Sequence, residues 1–177
     1  MMEIIDDFLP EDQFKMLRNY MMGSHFPWNY VPRQAYYEDR PNDFQFFHNF
    51  YKEGQSKSEY YSLINPTLQK LGGKLVRAKA VLTTKTESPR FSGFHHDYKD
   101  MTTAILYINT NDGYTQFRNE YSDWETIAYG LPPDPDHDVK VESVANRMVI
   151  FDSNLEHAGT TCTDQKIRVL INFNYER

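Results

Sequence analysis

From residue 74 onward, the sequence consists of short segments in which apolar and polar residues alternate, as they do on β-strands with one buried face. We count roughly seven or eight such strands, and no helical segment lies between them to serve as the crossover that parallel strands require. Antiparallel strands in this number predict a double-stranded β-helix, which is a jelly roll of two facing sheets. The pattern therefore predicts a mainly β fold.

Residues 1–73 have a different pattern, typical of helices with a strand or two. An amphipathic helix is predicted over Glu11–Met22, and a shorter helical segment over Glu59–Ile64. We expect these N-terminal helices to brace a jelly-roll core over residues 74–177. The chain of 177 residues has the size of one domain, so a single domain is predicted.

The composition excludes several classes of partner. The chain has 19 basic and 25 acidic side chains and a net charge of −6, which argues against a dedicated binder of duplex DNA. Cys162 is the only cysteine, so no internal disulfide can form and a reducing compartment is expected. Met1–Asp7 lacks the features of a signal peptide, and no apolar run reaches membrane-spanning length. We expect a cytoplasmic protein with neither a membrane nor nucleic acid as its partner.

Three side chains that can bind a metal come from two distant segments. His95 and Asp97 are two residues apart on a predicted strand and so share a face, while His96 points the other way. His157, brought alongside by a later strand, would complete a set of two imidazoles and one carboxylate. This set leaves coordination positions open and suits non-haem Fe(II) that binds a cosubstrate and O₂.

A guanidinium follows on the predicted closing strand, Lys166–Phe173. Arg168 lies eleven residues after His157 and shares a face with Leu170 and Asn172, which indicates a polar pocket inside an apolar barrel. An arginine there can hold a carboxylate through two parallel hydrogen bonds. The sequence therefore predicts a carboxylate-binding position at Arg168.

The order His95-x-Asp97, His157 and Arg168 resembles the Fe(II)/2-oxoglutarate dioxygenases, most of all their prolyl 4-hydroxylase-like branch. The resemblance covers roughly residues 75–173, and the overall pattern is also similar to hydroxylase-like proteins encoded by marine phages. It implies Fe(II), 2-oxoglutarate and O₂ as cofactors and cosubstrates, with ascorbate as an optional addition. The implied catalytic metal ligands are the two histidines and the aspartate, and Arg168 would bind the far carboxylate of 2-oxoglutarate. Succinate and CO₂ would be released as a C–H bond is hydroxylated.

The same resemblance implies a second cosubstrate ligand. In the prolyl hydroxylase branch, a tyrosine in a Tyr-x-Asn stretch helps to hold the far carboxylate, and Tyr107-Ile108-Asn109 matches this stretch. The alternative is a tyrosine of the core. The chain departs from the family in one place, because it keeps only one glycine, Gly113, where the family often has a double-glycine turn.

Two further stretches leave alternatives open. Residues 118–138 are irregular and rich in proline, so we expect a lid or a substrate-recognition insertion; within them, His137 belongs to a solvated loop or, less favoured, to a second metal site. The predicted strand Lys74–Thr84 carries Arg77 and Lys79 on one face. For these cations we favour solvent or an ion pair over the alternative, in which they face an acidic cosubstrate.

Other functions fit the same residues. A cupin-like hydrolase or isomerase can use two histidines and one carboxylate to bind Zn²⁺, although it has no need of Arg168. A non-catalytic jelly-roll binding module is a further alternative. Within the oxygenase interpretation, the substrate is a prolyl residue of a peptide, a nucleobase or a small molecule.

Overall fold

The computed structural model describes residues 2–32, 44–118 and 138–177. Residues 119–137, with most of the expected insertion and His137, lie outside the described part of the chain. The described helices are α1 (Glu11–Met21), a 3₁₀ helix (Glu59–Ile64) and α2 (Asn65–Leu71). The described strands are β1 (Glu3–Ile5), β2 (Asn29–Val31), β3 (Gln45–Lys52), β4 (Gln55–Ser56), β5 (Lys74–Thr84), β6 (Thr102–Tyr107), β7 (Tyr114–Phe117), β8 (Val139–Glu142), β9 (Met148–Asp152), β10 (His157–Gly159) and β11 (Ile167–Glu176).

The strands form two antiparallel sheets. The large sheet has the order β1-β9-β6-β11-β5-β3-β2, with β4 paired to β3, and the small sheet has the order β10-β7-β8. From β5 onward, the chain passes back and forth between the sheets, which is the connectivity of a jelly roll. The mainly β, antiparallel character predicted from the sequence is confirmed.

An apolar core fills the space between the two sheets. Phe117 of β7 packs against Phe151 of β9, with ring centroids 4.8 Å apart. Both sheets contribute to the remaining buried residues of this inner core, which are Ile105, Tyr107, Val141, Val149 and Leu170. The sheets are therefore held face to face by interdigitating side chains.

The N-terminal helices cover the opposite face of the large sheet. Alternate residues on β11 point away from the inner core, and they pack in one cluster with the apolar side of α1. The α1 members of this outer cluster are Phe14, Leu17 and Met21, and the β11 members are Val169, Ile171 and Phe173. Burying a side chain of this size contributes roughly 1.5–3 kcal/mol relative to exposure. Among the described residues, no helix is long and apolar enough to span a bilayer.

One predicted strand differs in the structure. The segment predicted to be the strand that carries His95 and Asp97 makes only isolated bridges, Phe91 to Thr160 and His95 to His157. The extended backbone is interrupted at Gly93, where φ is 88°, a conformation outside the β region. The prediction of a regular strand here is therefore wrong, although the segment still lies beside β10.

Candidate active site

His95, Asp97 and His157 lie together on the wall of one cavity. Each side chain offers one ligand atom, and these atoms are all within 4.8 Å of one another. His157 Nε2 is 3.9 Å from Asp97 Oδ2, and the two imidazole centroids are 4.6 Å apart. Donors that share one ion at about 2.1 Å lie within about 4.2 Å of each other, so this group needs only a small contraction to hold a metal.

The hydrogen bonds of the two imidazoles fix which nitrogen can bind a metal. His95 Nδ1 is 3.0 Å from the carbonyl oxygen of Gly93, and His157 Nδ1 is 3.0 Å from that of Leu155. A carbonyl oxygen only accepts, so each Nδ1 carries the proton and each Nε2 keeps a lone pair for a metal. Burial lowers the pKa of His157, which keeps this ring neutral near pH 7.

Asp97 is held by four donors. Its Oδ2 accepts hydrogen bonds from Thr103 Oγ1 at 3.1 Å, Asn172 Nδ2 at 3.1 Å and Asn174 Nδ2 at 3.0 Å. Its Oδ1 accepts one from the Arg77 guanidinium at 2.9 Å. Burial alone would raise the pKa of Asp97, but Arg77 and the amide donors outweigh it, and the pKa falls to about 2. The carboxylate is therefore ionised and fixed in direction.

Two predictions about neighbouring residues can be compared with the structure. His96, between the two proposed ligands, is exposed, and its Nε2 lies 3.7 Å from Glu156 Oε1, so it does not join the group. Arg77 has the ion pair that we favoured, but with Asp97, and both Arg77 and Lys79 line the cavity. An ion pair, one of the two favoured environments, is therefore found for Arg77, while the cavity-facing position of both cations is that of the alternative.

Arg168 is buried, with 3% of its surface exposed. Its Nε donates to Ser143 Oγ at 2.7 Å and its Nη2 donates to Thr115 Oγ1 at 3.2 Å. No carboxylate of the described residues forms an ion pair with it. A buried cation without an opposite charge is costly, so the cavity is built for an anion at this point.

Two glycines make room for the Arg168 side chain. A Cβ atom at Gly113 would lie 2.6 Å from Arg168 Cδ, and one at Gly159 would lie 3.3 Å from Arg168 Nη1. The first distance is far below van der Waals contact. The single glycine that the chain keeps at position 113 therefore has a steric reason to be there.

Tyr107 lies next to Arg168 but uses its hydroxyl elsewhere. The residue is fully buried, its ring centroid is 5.6 Å from Arg168 Cζ, and its OH donates to Thr115 Oγ1 at 2.8 Å. Thr115 lines the cavity, whereas Tyr107 is not among the lining residues. Direct binding of a carboxylate by Tyr107 thus stays a prediction.

These side chains share a cavity of about 990 Å³, at the upper end of the roughly 300–1,000 Å³ usual for small-molecule sites. Two buried polar atoms on its wall, Thr83 Oγ1 and Asn172 Oδ1, have no hydrogen-bond partner within the described chain. Thr83 pairs in register with Arg168 across β5 and β11. Sequence reasoning missed Thr83, Thr115 and Ser143 as partners of this site.

Comparison with known proteins gives a fold but no close relative. No family profile and no curated protein sequence matches the chain. Among solved structures, a prolyl 4-hydroxylase of Pseudomonas putida has a TM-score of 0.58 at 16% identity, over 99% of this chain and 92% of that chain. The carbocyclase SnoK from nogalamycin biosynthesis, a non-haem α-ketoglutarate-dependent enzyme, has a TM-score of 0.64 at 13% identity, over 98% of this chain and 78% of that chain.

A third similar structure contains bound ligands. HygX from Streptomyces hygroscopicus, with nickel, 2-oxoglutarate and hygromycin B bound, has a TM-score of 0.58 at 14% identity, over 99% of this chain and 82% of that chain. At such low identities the likeness extends to the fold and not to the substrate. The chain therefore has the jelly-roll fold of the 2-oxoglutarate- and Fe(II)-dependent oxygenases.

Proposed function

We propose that the protein is an Fe(II)- and 2-oxoglutarate-dependent dioxygenase that hydroxylates a C–H bond and releases succinate and CO₂. One observation carries the proposal: a single cavity contains both a group of two histidines and one carboxylate and a buried arginine that no described carboxylate neutralises. A metal site alone would fit many reactions. The added guanidinium calls for a ligand with a carboxylate, which a zinc hydrolase does not need.

His95, Asp97 and His157 would hold the iron. The donor set fits, because both imidazoles keep Nε2 free and Asp97 is ionised. When bound there, ferrous iron supplies the redox chemistry with 2-oxoglutarate and O₂ that no protein side chain can provide. The role of the protein is to fix the ligands, orient the cosubstrate and exclude water.

The wall between Arg168 and the metal ligands matches the polarity of 2-oxoglutarate. Along β11, Arg168, Leu170 and Asn172 line the cavity, and on β5 the lining residues Thr83 and Val81 face Arg168 and Leu170. From Arg168 toward Asn172, the wall is therefore first polar, then apolar, then polar again. It suits a molecule with a carboxylate, two methylene groups and a second polar end, with Arg168 and Thr83 on the far carboxylate.

Thr115 adds a donor at the same end. A hydroxyl has two acceptor positions and one proton, and Thr115 Oγ1 accepts from both Tyr107 and Arg168. Its own proton is therefore available for an acceptor in the cavity. In this arrangement Tyr107 belongs to the cosubstrate site by orienting Thr115 and Arg168.

We propose a prolyl residue of a peptide first as substrate, since the motif order and one of the similar folds both belong to prolyl hydroxylases. A small molecule is the second candidate. The test is succinate release from 2-oxoglutarate with Fe(II) and with Zn(II), in the presence of proline-rich peptides, free proline and methylated oligonucleotides. We expect succinate to be released with Fe(II) but not with Zn(II), together with a product that is 16 Da heavier than the substrate. Turnover of a substrate with Zn(II) and no succinate would replace the oxygenase with a hydrolase.

A further inference from the structure

Lys79 is a cation on the cavity wall that the proposed reaction does not use. It lies in the middle of β5, and its side chain lines the cavity. Its Nζ is 5.3 Å from the centroid of the Phe47 ring. Within the described part of the chain it forms neither an ion pair nor a hydrogen bond. Its charge therefore faces the cavity with no described carboxylate within ion-pair distance.

The charges of the described lining residues do not balance. Among the described lining residues, the cationic side chains are Arg77, Lys79 and Arg168, and the one carboxylate is that of Asp97. Asp97 is paired with Arg77, and Arg168 is assigned to the cosubstrate. Lys79 remains, in a chain whose net charge is −6. An acidic protein thus concentrates positive charge inside one cavity, which attracts and holds anions.

The position of Lys79 separates it from the cosubstrate end. Across β11 it faces Asn172, whose amide supports Asp97, and across β3 it faces Asn49. On that side the large sheet continues beyond the jelly roll into β3 and β2, and Gln45 and Val31 from these strands also line the cavity. Lys79 therefore stands where the metal end of the cavity opens toward the added strands.

The surroundings of Lys79 favour a bound anion. Burial has the largest effect and lowers the pKa of Lys79, Arg77 lowers it further, and Asp97 opposes them. An anionic group beside the amine would offset this cost, and the alkyl chain can pack on an apolar part of the same ligand.

We propose that the part of the cavity lined by Lys79, Gln45 and Val31 binds the primary substrate, and that this substrate carries a carboxylate or phosphate group held by Lys79. The proposal rests on the proposed function in one respect, namely that Arg168 is occupied by 2-oxoglutarate. Lys79 is then the residue that selects acidic substrates over neutral ones.

The test compares matched anionic and neutral probes. The protein is loaded with Zn(II) and saturating 2-oxoglutarate, so that no turnover occurs, and probes are titrated by ligand-observed NMR. The probes are small carboxylates with their primary amides, beginning with N-acetyl-L-proline, and phosphate monoesters with their parent alcohols. At least one anion should bind tenfold or more tightly than its neutral partner, and the pair that does so distinguishes carboxylate from phosphate. Equal binding within every pair, or no binding of any anion, overturns the proposal.

Variants assign the effect to Lys79. Lys79→Met keeps the aliphatic chain over Phe47 and should weaken the anionic probes at least tenfold, while Lys79→Arg should keep the preference. The matched control is Lys15→Met, at an exposed lysine of α1 paired with Glu11, and it should change nothing. Unaltered anion affinity in Lys79→Met overturns the proposal.

A parallel measurement separates this proposal from the proposed function. Binding of 2-oxoglutarate is measured in Arg168→Met. If it is unchanged there, the cosubstrate assignment fails whatever Lys79 does. If the anionic probes lose affinity in Arg168→Met but not in Lys79→Met, they occupy the cosubstrate position and the Lys79 proposal is overturned.

Discussion

His95 and His157 exchange two main-chain hydrogen bonds, N–H to carbonyl in each direction and both 3.0 Å long. Each imidazole also donates from Nδ1 to the carbonyl oxygen two residues before it. The same kind of side-chain to main-chain hydrogen bond therefore orients both rings on two paired backbone segments. These main-chain contacts therefore help to point both metal-binding nitrogens into the cavity.

Replacing His95 with alanine should abolish stoichiometric iron binding, because an aspartate and one imidazole are too few protein ligands for a stable site. The measurement is metal content after dialysis against Fe(II) under anaerobic conditions. His25→Ala, at an exposed histidine, is the matched control and should keep full occupancy. Full iron content in His95→Ala would remove this residue from the site.

Replacing Arg168 with alanine should weaken 2-oxoglutarate binding by about 2–4 kcal/mol, since a buried charge-assisted pair is lost. This corresponds to a roughly 30- to 1,000-fold higher Kd, measured by titration of the metal-loaded protein. Arg147→Ala removes an arginine whose partner is the exposed Asp6 and should leave the Kd as it is. An unchanged Kd in Arg168→Ala would assign the guanidinium a structural role only.

Replacing Gly113 with alanine should displace Arg168, because the new Cβ would lie 2.6 Å from Arg168 Cδ and 3.0 Å from the carbonyl oxygen of Thr161. We expect a loss of about 1–3 kcal/mol in the free energy of unfolding together with a higher Kd for 2-oxoglutarate. Gly159→Ala, where the nearest atom is the far end of the guanidinium at 3.3 Å, should have the smaller effect on unfolding. The reverse order in denaturant titrations would contradict this steric account.

Replacing Asn174 with alanine should weaken both the fold and the metal site. Asn174 is fully buried; it donates to Asp97 and accepts from Arg77 Nε at 2.8 Å. Leaving these groups without partners should cost about 1–3 kcal/mol of unfolding free energy, and metal affinity should fall roughly 10- to 100-fold. Asn154→Ala, at an exposed asparagine, serves as the control. Metal affinity equal to that of the unchanged protein would show that Asp97 does not depend on this support.

Local alternation predicted much of the architecture, as β5 illustrates. Its predicted bounds, Lys74–Thr84, are those of the structure, because the buried side chains of Ala78, Ala80 and Leu82 recur with the period of a strand. The three-residue strand β2 was not predicted. It follows Pro27, and its pairing is with β3, so nothing within its own sequence marks it.

Spacing indicated His95 and Asp97 as site residues, whereas His157 and Arg168 were predicted from their order along the chain and the family resemblance. The spacing of His95 and Asp97 places them on one side, and the structure brings both into the cavity. The donors that hold Asp97 come from β5, β6 and β11, and the pairing of these distant strands brings them together. Asn172 and Asn174 do follow Arg168 at steps of two residues, a signal that sequence reasoning could have used for both.

Alternate residues of strand β11 serve the cavity and the outer apolar cluster. Arg168, Leu170 and Asn172 line the cavity, while Val169 and Ile171 pack in the outer cluster with the helices. A shift of this strand by one residue against its neighbours would place Arg168 in the apolar outer cluster and turn Val169 toward the cavity. A chain with this strand out of register would lose its packing against the helices and its cavity contacts together. Correct pairing of β11 is therefore a condition both for stability and for ligand binding.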